Sequence, residues 1–68
     1  MKNYYTLTAA ESKIIEVFSK SQNSMLPISS FFAAIPLSKE SIERAIEGAE
    51  QKGFITRQGE IILLSKNN

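Results

Sequence analysis

The chain has 68 residues, a formal net charge of +1, and neither cysteine nor histidine. A chain this short folds as one domain and buries roughly 60% of the surface its unfolded form exposes, so its core is marginal and association would strengthen it. Without cysteine there is no disulfide framework or thiolate metal site, and without histidine the usual metal ligand and neutral-pH base are missing. Aspartate is absent as well. The remaining serine, threonine, lysine, tyrosine and glutamate side chains form no recognisable catalytic arrangement, so a non-enzymatic protein without cofactor or metal is expected.

An N-terminal segment over 1–7 precedes the helices. The N-terminus MKNYYTLTAAESK, residues 1–13, lacks the apolar core of a secretory signal, and no run in the chain is long and apolar enough to span a bilayer. No membrane association is expected, and the cytoplasm is the expected location. A first helix is expected over 8–20. Thr8 and Glu11 have the spacing of a capping box, and Ala10, Ile14, Val17 and Phe18 line one helical face until the polar run SKSQNS. A short second helix is expected over 29–35, ending before Pro36 because the residue preceding proline avoids the helical region. Phe31 and Phe32 are adjacent, so both cannot face inward from a helix buried on one side.

A third helix is expected over 38–52. Ser38 supplies the N-cap and Glu40 complements the positive end of the dipole, while Ile42, Ala45, Ile46 and Ala49 recur on one face. Gly53 follows Lys52 where a left-handed residue would stop the helix, and Phe54 can fold back on the last turn. A hairpin is expected over 54–65. Phe54, Ile55 and Thr56 form one strand, Gln58-Gly59 a two-residue turn, and Ile61 to Leu64 the return strand. The fold class is therefore mostly α with a small antiparallel β-wing, three helices plus a two-stranded hairpin, in a single domain spanning 1–68.

The second half of this pattern resembles the MarR-like winged helix-turn-helix family of small DNA-binding regulators. Leu37, Ser38, Ile42, Arg44, Ile46, Glu50, Lys52, Gly53, Phe54, Ile55 and Arg57 fall in register with the family's run from recognition helix into wing. The resemblance implies that the second helix opens the helix-turn-helix, with Pro36 where the family often has glycine and Leu37 as the buried residue of the turn. It also implies binding of double-stranded DNA in transcriptional regulation, by a chromosomal, plasmid or phage-type protein. In a helix-turn-helix the N-terminal part of the recognition helix meets base edges. Ser38, Lys39, Ser41 and Arg44 are then the groove-facing candidates, with Arg57 and Gln58 at the wing tip and Lys13, Lys20 and Lys66 available for phosphates.

Charge points another way. From Leu37 to Ile55 the cations Lys39, Arg44 and Lys52 stand against Glu40, Glu43, Glu47 and Glu50, so the segment is net acidic although the chain is not. Acidic side chains near a duplex oppose the phosphate attraction on which DNA affinity rests. The four glutamates are spaced three, four and three apart and share one side of the helix. They read as a solubilising face, as a docking surface for a basic protein partner, or as a device that keeps a winged helix off DNA. The chain is also apolar beyond the needs of a small monomer at Tyr4, Tyr5, Phe32 and the Ile61 to Leu64 run. Either the N-terminal segment folds across the wing, or a homodimer interface covers these residues.

Overall fold

A computed structural model describes residues 6–65, and Tyr4, Tyr5 and Lys66 lie outside the described residues. Three helices and a three-stranded antiparallel sheet follow one another as α1 (Ala9–Ser21), β1 (Met25–Pro27), α2 (Ile28–Ala34), α3 (Lys39–Gln51), β2 (Ile55–Gln58) and β3 (Ile61–Leu64). The sheet order is β1-β3-β2. Among the described residues, no helix is long and apolar enough to cross a membrane.

The third strand corrects the expectation of a two-stranded hairpin. Met25, Leu26 and Pro27 pair antiparallel with Leu63, Ile62 and Ile61 of β3. Three residues are too few for a period-two pattern to register, and a proline in the run argues against a strand. Pro27 is tolerated because β1 is an edge strand at its last residue, and the ladder continues past it with Ile28 N donating to Glu60 O at 2.8 Å. Pairing with β1 satisfies the outer edge of β3 and makes β3 the central strand, which accounts for its run of four apolar residues.

Local chemistry sets the helix ends. In α1 the Thr8 hydroxyl accepts from Glu11 N and the Glu11 carboxylate accepts from Thr8 N, both at 3.1 Å, forming the capping box. In α3 Ser38 Oγ accepts from Ser41 N at 3.1 Å. Gly53, at φ +87°, ends α3 in the left-handed region, with its N–H donating to Glu50 O and Phe54 N donating to Ala49 O. The hairpin turn differs from the expected Gln58-Gly59. Gln58 pairs with Ile61, so the two loop residues are Gly59 and Glu60, with Gly59 at φ +63° in the first position. Only a residue without a β-carbon takes that conformation without strain.

The core gathers one face from every element: Ile14 and Phe18 of α1, Leu26 of β1, Ile28 and Phe31 of α2, Ile42, Ala45, Ile46 and Ala49 of α3, Ile55 of β2 and Ile62 of β3. Phe18 and Phe31 meet edge to face with ring centroids 5.3 Å apart, a geometry that aligns ring edge with ring face. Phe31 is fully buried and Phe32 only half-buried, as adjacency on a one-sided helix requires. Leu37 corrects the expectation drawn from the resemblance. It is 41% exposed, and Ile35, at 5%, fills the core between α2 and α3 instead. Leu37 N donates to Ile35 O at 2.8 Å, and that tight connection directs the two side chains apart.

Candidate interaction groove between the third helix and the hairpin

The four glutamates of α3 come together with the hairpin. Glu40, Glu43, Glu47 and Glu50 line an open groove of about 430 Å³ together with Arg44 and Arg57, over Ile46. The helix repeat explains the alignment: burying Ile42, Ala45, Ile46 and Ala49 turns residues three and four apart outward along the neighbouring stripe. The hairpin supplies the opposite wall because α3 ends at Gly53 and the chain reverses directly into β2.

The two arginines differ in freedom. Arg44 is exposed, and its guanidinium lies 3.9 Å from the Glu40 carboxylate across one helical turn, with both side chains more than 70% exposed. Such a pair contributes at most a few tenths of a kcal/mol. Arg57 is half-buried, and its Nε donates to Gly59 O at 2.8 Å. The guanidinium is thereby tied back to its own turn. Two cations face four anions, so the groove is acidic.

The other candidate residues divide among separate surfaces. Ser38 and Ser41 are engaged with each other, Ser38 Oγ donating to Ser41 Oγ at 3.0 Å while capping the helix. The Lys39 ammonium stands 5.3 Å from the centroid of the half-buried Phe32 ring, a cation over an aromatic face. Gln58 is exposed and neighbours Arg57 on the strand, so the two side chains leave opposite faces of the sheet and do not act together. Lys13 and Lys20 line a different groove, against α2.

Periodicity gave no sign of a second polar cluster, which fixes the helix pair. Lys52, at the end of α3, donates from Nζ to Glu11 Oε1 at 2.6 Å and to Thr6 O at 2.9 Å. Glu11 is 6% exposed and is the buried charged residue among those described. The hydrogen bond from Lys52 holds its carboxyl below the ordinary carboxylate value, against the opposing effect of burial, with help from the Thr8 backbone N–H. The signal available in the sequence was Gly48, a glycine in the interior of a helix. A β-carbon there would run into the Glu11 carboxylate.

Comparison with family models, with curated proteins and with solved structures found no match to this chain. Among the described residues, no group of three or more histidine, cysteine, aspartate or glutamate side chains is placed to hold a metal ion.

Proposed function

We infer that the chain is a winged-helix binding module whose groove between α3 and the hairpin takes a basic segment of a protein partner. Two features support the winged-helix reading: the order α1, β1, α2, α3, β2, β3 and the resemblance carried by Leu37 to Arg57. A fold hosts many activities, so the ligand class has to come from the site. The observation that carries it is the convergence of Glu40, Glu43, Glu47 and Glu50 on one groove. A duplex laid there sets its phosphates against four carboxylates, losing the attraction that drives DNA association. A lysine- and arginine-rich segment finds charged acceptors at helical spacing, which steers its approach and fixes its register.

Double-stranded DNA is the second reading, in a transcriptional regulator, and one observation favours it. Lys39 and Arg44 are exposed toward the N-terminal end of α3, the part of a recognition helix that meets base edges. The two readings separate in one titration of the chain against a lysine- and arginine-rich peptide and against mixed-sequence duplex DNA, each at low and high salt. Peptide binding that weakens with salt, without comparable DNA binding, supports the first. Binding to DNA with none to the peptide overturns it in favour of the second.

A further inference from the structure

A second and larger groove, about 620 Å³, lies between α1, β1 and α2 and shares no residue with the acidic one. Val17, Leu26 and Ala34 give it an apolar lining, and its two lips differ in charge. The α2 lip is neutral, because the chain from Ser21 to Ser38 carries no charged side chain. The α1 lip carries Lys13, Glu16 and Lys20, all exposed. Three and four residues apart, they lie on one side of the helix and form a stripe of cation, anion and cation about 10 Å long. Glu16 lies 3.5 Å from Lys20. Among the described residues Lys13 pairs with no carboxylate, so the lip is net cationic.

A groove walled by two helices takes a third helix, which lowers its own apolar stripe onto the floor. The charges on the α1 lip select which helix. Carboxylates are required opposite Lys13 and Lys20 and a cation opposite Glu16. The flank of the incoming helix therefore reads acid, base, acid at the same steps of three and four residues. The neutral α2 lip asks for an uncharged flank on the other side, where a charge would lose water without gaining a partner. A second copy of α1 does not meet these demands. Packed antiparallel about the middle of the stripe, it sets Lys13 against Lys20 and Glu16 against Glu16.

We propose that this groove binds an amphipathic helix of a protein partner, laid along α1, with apolar side chains over Val17 and Leu26 and a flank of acid, base and acid against Lys13, Glu16 and Lys20. The site is independent of the acidic groove and of its ligand. With both grooves filled, the chain links a basic segment on one face to a net acidic helix on another. A partner that carries both elements gains avidity from holding them together.

Two helical peptides with the same leucine stripe test this, one flanked by acid, base and acid and the other by base, acid and base. Each is titrated into the full chain by nuclear magnetic resonance, with the amide shifts of Val17 and Ala34 reporting this groove rather than the acidic one. The first peptide is expected to bind here, and the second roughly tenfold more weakly or less. Lys13→Glu/Glu16→Lys/Lys20→Glu inverts the stripe over an unchanged floor and should invert the preference. Ala34→Glu puts a carboxylate in the neutral lip and should weaken the first peptide with unchanged helical circular dichroism. A first peptide that leaves these amides unmoved at millimolar concentration overturns the proposal. So does equal binding of the two peptides here, or a preference that the charge exchange does not move. A chain that sediments as a dimer the first peptide cannot dissociate puts a second copy in the groove and overturns it too.

Discussion

The carboxylate of Glu11 occupies the space a β-carbon on Gly48 would need, at the point where α1 and α3 approach each other. Glycine inside a helix costs about 1 kcal/mol relative to alanine. The cost is borne because the carboxylate is held there by Lys52 Nζ and by Thr8 N. Gly48→Ala is expected to destabilise the protein by about 1–2 kcal/mol, since losing satisfied partners for a buried charge outweighs the gain in propensity. In a Glu11→Ala background the sign should reverse, with alanine at 48 stabilising by up to about 1 kcal/mol. Urea unfolding of the four proteins measures this, and strictly additive effects would show that the two residues are uncoupled.

Protonation of Glu11 links the same contact to pH. Its folded pKa lies below the ordinary 4.5, chiefly through the Lys52 hydrogen bond. A depressed carboxylate pKa contributes stability that is fully present above the unfolded value and is lost as pH falls through the folded one. Thermal stability should therefore fall as the solution is acidified below 4.5. Glu11→Gln, which cannot titrate, should be less stable at neutral pH and show a shallower loss over that acid range. Parallel pH profiles for the two proteins would exclude Glu11 as a source of the acid sensitivity.

Ser38 has a structural task that its exposure conceals. Its hydroxyl caps α3, so Ser38→Ala should cost about 1 kcal/mol, and Ser38→Asp should keep most of the wild-type stability because a carboxylate caps equally well. Thermal unfolding of the pair distinguishes a cap from a surface hydroxyl, for which both substitutions would be silent.

Ile46 is fully buried in the common core with Ile14 and Phe18. Truncation to alanine should cost about 2–5 kcal/mol, a large part of the stability available to a domain of this size. Loss of a cooperative thermal transition at ambient temperature is the expected result. A transition left in place would place Ile46 outside the cooperative core.

Long-period patterns were legible in the sequence and short or long-range ones were not. The helical faces of α1 and α3 follow from the spacing of Ile14, Phe18, Ile42 and Ile46, and the helix stop follows from Gly53. Strand β1 was not legible, because Met25-Leu26-Pro27 is too short for alternation and becomes a strand only when β3 pairs with it. The turn was displaced by one residue, since both Gln58-Gly59 and Gly59-Glu60 contain the required glycine and only the register of Ile61 decides between them. The exposure of Leu37 depends on the tight connection after Ile35, which no pattern specifies. At the candidate site the glutamate stripe was readable from helical spacing. Its meeting with Arg57 was not, because that depends on how the hairpin packs. The Glu11–Lys52 pair joins residues 41 apart in sequence and left only Gly48 as a trace.

The binding reading rests on the acid of the groove, and reversing that acid tests it most directly. Glu47 and Glu50 are exposed, so Glu47→Lys/Glu50→Lys should leave the unfolding transition nearly unchanged. Calorimetric titration of the full chain with a lysine- and arginine-rich peptide should show binding that weakens with salt and falls more than roughly tenfold in the double variant, about 1.4 kcal/mol or more. Arg44→Ala should leave that affinity nearly unchanged. Peptide affinity insensitive to the double reversal would contradict the account. So would sequence-selective binding of duplex DNA by the wild type that Arg44→Ala abolishes.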